Sequence, residues 1–111
     1  MKDDSLYIGH ILECIRRIEA NVADGRDAFI ASHTLQDAVL RNLQTMAEAT
    51  QRLSESVKAA HPEIPWARIA AFRNVLVHNY LGIDLQLVWA ITQHEVPELK
   101  RAVLHMQADS P

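Results

Sequence analysis

The chain has 111 residues with 14 acidic and 11 basic side chains, a formal charge of −3. It therefore offers nucleic acid no general attraction, and a nucleic-acid function would require basic groups gathered on one face. Hydrophobic residues make up 49% of the chain, with only three glycines and four prolines, which excludes a disordered chain or a loop-rich sandwich and predicts one all-α domain over residues 1–111.

Taken in chain order, Ile8, Ile11, Ile15, Ile18 and Val22 recur in steps of three and four. This is the spacing of one helix face, and it predicts a first helix over Asp4–Asp24 with Gly25 as its stop. Cys14 lies among these apolar positions and is read as a buried, inert thiol. A lone cysteine cannot form an internal disulfide, which suits a reducing compartment. Residues 26–33 read as a turn, after which Thr34 is placed to cap a second helix. Its stripe is Leu35, Val39, Leu43, Met46, Thr50, Leu53 and Val57, ending before His61 and Pro62. In HPEIP each proline lacks an amide hydrogen and restricts its predecessor, so the helix breaks there, and Pro65 suits the first position of a third helix running to about Leu81. Gly82 stops that helix, and Asp84 offers a carboxylate cap to a fourth helix carrying Leu85, Val88, Ile91, Leu99, Val103 and Met106. Pro97 is expected to kink or split it. Four antiparallel helices with short connections predict an up-and-down four-helix bundle. No apolar run is long enough to span a bilayer and no export leader is legible, so no membrane partner is expected and the chain is read as cytoplasmic.

Most polar residues have plain structural readings. His10, His33, His61, His94 and His105 are scattered over different segments and read as surface or capping groups, with no shared metal site. No Glu-x-x-His pair is present, and HEVPE at 94–98 lacks the second histidine of a zincin. Arg16 with Arg17, and Lys100 with Arg101, read as solvated helix faces, although either pair could help to hold a phosphate backbone. Trp66 and Trp89 lie within apolar stretches and read as core or interface anchors.

Residues 73–80, RNVLVHNY, are different. On a helix turning about 100° per residue, Asn74 and His78 share one face, and Arg73 and Tyr80, seven apart, share a neighbouring line. One structural account pairs Arg73 with an acid on another helix and uses His78 and Tyr80 to satisfy the last carbonyls of the helix. Side-chain chemistry alone leaves that account open.

At these residues the chain resembles a known family. Arg73 to His78 forms R-x-x-x-x-H with Asn74 as the polar residue after the arginine, the pattern of ribonucleases of the HEPN superfamily. Tyr80 extends it to the R-x-x-x-x-H-x-Y form of HepT-like toxins. The similarity continues through IPWARIAAFRNVLVHNYLGIDLQLVWAITQHEVPELKR, including the IPW start of the third helix and the D-L-x-L-V-W start of the fourth, and AVLRNLQTMAEATQRLS resembles the family's second helix. Asn79 departs from the glycine that relatives often carry between the histidine and the tyrosine.

The resemblance implies a metal-independent endoribonuclease toxin of a type VII-like toxin–antitoxin pair. Its RNA substrate has transfer RNA among the candidates, and a cognate MntA-like minimal nucleotidyltransferase silences it by AMPylation of Tyr80. The residues are suited to that chemistry. RNA supplies its own nucleophile, the 2′-hydroxyl, so cleavage needs a proton acceptor, a cation for the crowded phosphorane and a donor for the leaving 5′-oxygen, with no cofactor. His78 fits the proton transfer, the planar fork of Arg73 fits a phosphate, and Asn74 can orient His78 from one turn below. A single motif holds one histidine, whereas acid and base roles divide most easily between two. A twofold homodimer would supply both and gather two Arg73 charges in one cleft. The alternative is a non-catalytic helical dimer whose polar strip docks a nucleotidyltransferase or binds a nucleotide.

Overall fold

The structure, a computed structural model, describes residues 2–78 and 84–109, with backbone alone for residues 2 and 73–78. These residues form seven α-helices: α1 Lys2–Val22, α2 Arg26–Ala31, α3 His33–Gln51, α4 Glu55–Ala59, α5 Trp66–His78, α6 Leu85–Gln93 and α7 Glu95–Asp109. No strand occurs among the described residues. The long helix α3 receives α1 along one side and α5 along another, α7 packs on α1, and α6 packs on α7.

The apolar stripes read from the sequence meet in one core. Ile11, Ile15 and Ile18 of α1, Val39, Leu43 and Met46 of α3, Ile69 of α5, Val88 of α6 and Leu99 and Val103 of α7 are all fully enclosed. Cys14 is buried among them, and that burial pushes its thiol above the ordinary range, the condition of an inert thiol.

Several boundaries differ from the sequence reading. Residues 26–31 are helical rather than a turn. Gly25 takes a φ of 98°, where a side chain would be strained, and ends α1. The chain then turns so that Phe29 is completely buried, its ring centroid 5.7 Å from that of Trp89. The buried Gln36 amide donates to the carbonyls of Phe29 and Ile30 at 3.1 and 3.0 Å, satisfying the free end of α2. Ser32, not Thr34, caps α3, accepting the Leu35 amide at 3.1 Å, because Ser32 holds the extended backbone between α2 and α3.

The second predicted helix is cut in two. Its break lies at residues 52–54, where the Ser54 amide and hydroxyl donate to the Asp4 carboxylate, each at 2.8 Å. Ser54 in turn caps α4 through the Val57 amide. Asp4 is only 4% exposed, so removing its carboxylate strands a donor with poor access to water. Asp4→Ala should lose about 1–3 kcal/mol of stability, measured by urea unfolding, while Asp4→Asn, which keeps one acceptor, should lose less. Equal midpoints for wild type and Asp4→Ala would refute this.

The fourth predicted helix splits, as Pro97 requires, but three residues upstream. Pro97 cannot donate to the carbonyl of Gln93 and its ring clashes with that group, so α6 stops at Gln93 and His94 forms the joint. Pro97 then lies in the first turn of α7, where its missing amide hydrogen costs nothing. Asp84 caps α6 as read, accepting the Gln86 and Leu87 amides at 3.1 Å. The predicted end of the third helix at Leu81 and Gly82 lies outside the described residues.

Candidate active site

The helix that carries the motif is held at its start by three elements. The Trp66 indole N–H is shared between the carbonyls of Lys58 and His61, both at 3.1 Å, which ties α5 to the end of α4. The carbonyl of Pro65 accepts the Ile69 amide at 3.0 Å, so Pro65 sits in the cap position immediately before α5 rather than as its first residue. Ile69 and Phe72 are buried in the core, and on the outer side Arg68 reaches Glu95, the first residue of α7, at 3.0 Å. Neither Arg68 nor Glu95 stood out in the sequence, because their pairing joins two helices with no local signature.

Beyond this anchored half, α5 continues without a break to His78. Arg73, Asn74 and His78 are therefore brought together in the last two turns of one helix. Asn74 and His78 lie four residues apart along it, the spacing of one face. Tyr80 lies outside the described residues.

The scattered histidines are partly gathered. The rings of His61 and His105 meet edge to face at 5.7 Å beside a cleft of about 480 Å³ that also takes Glu63, Glu98 and Arg101. Glu63 lies 3.3 Å from the His61 Nδ1. Its own backbone amide first, and His61 second, hold its carboxyl below the usual range. Among the described residues no group of three or more histidine, cysteine or acidic side chains has the geometry of a metal site. Lys100 is engaged by Glu19 at 2.8 Å, which leaves Arg101 in the His61–His105 cleft. No helix among the described residues is long and apolar enough to cross a membrane.

Comparison with known proteins adds to this geometry. The model of the Ribonuclease HepT-like family matches residues 11–106, a span that includes all of α5. A Methanocaldococcus jannaschii protein named "Gamma-glutamylcyclotransferase and putative RNase" is 36% identical over 97% of this chain, which spans only 49% of that protein's length. The "Probable ribonuclease HepT" of Thermococcus cleftensis is 34% identical over 85% of this chain and 86% of its own. A "Putative RNase" of Caldanaerobacter subterraneus subsp. tengcongensis is 33% identical over 93% of each. No solved structure matches the chain significantly.

Proposed function

This chain belongs to the HepT-like ribonuclease family, and on that premise we propose that it is a metal-independent endoribonuclease toxin acting through Arg73 and His78. The observation that carries the reading is the family match across residues 11–106, within which R-x-x-x-x-H-x-Y falls at Arg73, His78 and Tyr80. In this reading His78 takes the proton from a ribose 2′-hydroxyl as its oxygen attacks the adjacent phosphorus. Arg73 donates two hydrogen bonds to the phosphorane oxygens, and the 5′-oxygen leaves with a proton. The products are a 2′,3′-cyclic phosphate and a free 5′-hydroxyl. Asn74 positions His78. The test is cleavage of RNA by the purified protein in excess chelator, with the new termini identified. Full dependence on an added divalent ion, or a 3′-hydroxyl product, would reject it.

The proton for the leaving oxygen comes from a second His78. We place it in a homodimer of up-and-down four-helix bundles, with α1, α3, α5 and α7 as the long members and the two motifs facing across a twofold axis. That arrangement also resolves the charge objection, since two Arg73 side chains make one cleft locally basic on a chain of formal charge −3. Leu6, Leu87 and Leu104, each more than 40% exposed, are apolar surface available to such an assembly. Sedimentation at micromolar concentration should therefore give about twice the 12.5 kDa chain mass. A fully active monomer would overturn the dimer.

The proposed control is a cognate minimal nucleotidyltransferase that transfers AMP from ATP to the Tyr80 hydroxyl, releasing pyrophosphate. The adenylylated phenol carries a negative phosphodiester two residues from His78, where it competes with the RNA phosphate for Arg73.

A further inference from the structure

Away from α5, on the side of α3 that packs against α1, lies a second cleft of about 310 Å³. It is bounded by His10, Glu13 and Arg17 of α1 and by Arg41, Asn42 and Thr45 of α3. Its charges are organised by one carboxylate. Glu13 accepts two hydrogen bonds from Arg16, at 2.9 and 2.7 Å, and a third from the Arg17 Nε at 2.9 Å. The two arginines hold the Glu13 carboxyl down to about 2, so it remains ionised and keeps both guanidinium groups in place.

Arg41 faces the same cleft from α3, is exposed, and makes no ion pair among the described residues, not even with Asp37 one turn before it. The cleft is lined by two arginines, Arg17 and Arg41, against one glutamate, Glu13, a local excess of one positive charge on a chain whose total is −3. Asn42 donates to the Ala38 carbonyl at 2.8 Å and Thr45 to the Arg41 carbonyl at 3.0 Å. Their remaining oxygens are acceptors, suited to hydroxyl donors. Among the described residues no Phe, Tyr or Trp lines the cleft, and its one aromatic ring, His10, already meets Tyr7 edge to face at 6.1 Å.

We propose that the α1–α3 cleft is a subsite for the sugar–phosphate backbone of the RNA, with Arg17 and Arg41 on phosphate oxygens and Asn42 and Thr45 accepting from 2′-hydroxyls. The proposal rests on the ribonuclease reading and extends it. α3 is the helix on which both α1 and α5 pack, each neighbour's axis on the order of 10 Å from its own, so the subsite and the motif-bearing helix flank the same helix. An RNA held at α5 that also reaches this groove has to span α3. Backbone contacts without base contacts make the subsite indifferent to sequence. It adds affinity for a longer RNA and leaves the choice of cleavage position to the catalytic end.

The phosphate contacts are tested by fluorescence anisotropy of a labelled single-stranded 2′-O-methyl RNA, which has no nucleophile, remains intact and offers no hydroxyl to Asn42 or Thr45, titrated at several salt concentrations. Arg41→Ala should weaken binding about threefold to fivefold near 0.1 M salt and reduce the slope of log affinity against log salt by about 0.7, the loss of one phosphate contact. Arg41→Lys, which keeps the charge, should retain the slope. Glu13→Gln should act in the opposite direction, tightening binding by a similar factor, because it removes the negative charge beside the two guanidinium groups and leaves them only a neutral amide oxygen as acceptor. Thermal melts of each variant establish that it is folded. If wild type cleaves RNA while folded Arg41→Ala and Glu13→Gln bind with wild-type affinity and slope, the subsite is wrong and the ribonuclease reading stands. If wild type neither binds nor cleaves RNA, the ribonuclease reading fails and the subsite fails with it.

Discussion

His78→Ala is expected to lower the rate of RNA cleavage by about a hundredfold or more, and Arg73→Ala by a comparable factor. These are the magnitudes that follow from losing a positioned proton acceptor or a charge-matched donor to the transition state. The two losses should be distinguishable. His78→Ala removes proton transfer and should flatten the pH profile of whatever activity remains, whereas Arg73→Ala removes phosphorane stabilisation and should leave the shape of that profile intact. Arg73→Lys should recover little, because an ammonium cannot offer the two parallel hydrogen bonds of the guanidinium fork. Since α5 is anchored in its first half at Trp66, Arg68, Ile69 and Phe72, both variants should unfold near the wild-type midpoint, which separates a chemical defect from a folding one. Cleavage by folded His78→Ala at the wild-type rate would sink the catalytic assignment.

Tyr80→Phe is expected to abolish silencing while leaving cleavage intact. The proton chemistry does not use a phenol, and on a helix Tyr80 would lie about 200° round from His78, too far for a shared face. Its value in the proposed reading is as an acceptor of AMP. Wild-type protein coexpressed with an active nucleotidyltransferase antitoxin should gain mass in steps of one adenylyl group and lose activity. Tyr80→Phe should gain none at that position and remain toxic in the same cells. Intact-mass spectra with no adduct on silenced wild-type protein, or silencing of Tyr80→Phe, would mean that the partner neutralises by docking.

Several features were legible in the chain alone because they depend on neighbours within one or two turns. The isoleucine stripe of α1, the Asp84 cap and the break forced by Pro97 follow from helix period, capping chemistry and the missing proline amide. So does the presence of Arg73, Asn74 and His78 on a single helix, since their spacing is a property of eight consecutive residues and of one family pattern. Where a proline acts is also local, and the shift of the joint to His94 follows from the position of the carbonyl it disrupts.

What the tertiary structure decided are the contacts whose partners lie far apart in the chain. Asp4 divides the predicted second helix because its carboxylate meets Ser54, fifty residues on. Phe29 turns an expected turn into α2 because a cavity beside Trp89 accepts its ring. Arg68 ties the motif-bearing helix α5 to α7, and Arg41 meets Arg17 across the α1–α3 cleft. None of these has a period or a motif to betray it. Each depends on which helix faces are pressed together when the stripes are buried, and burial of apolar area drives that choice without recording it in the local order of residues.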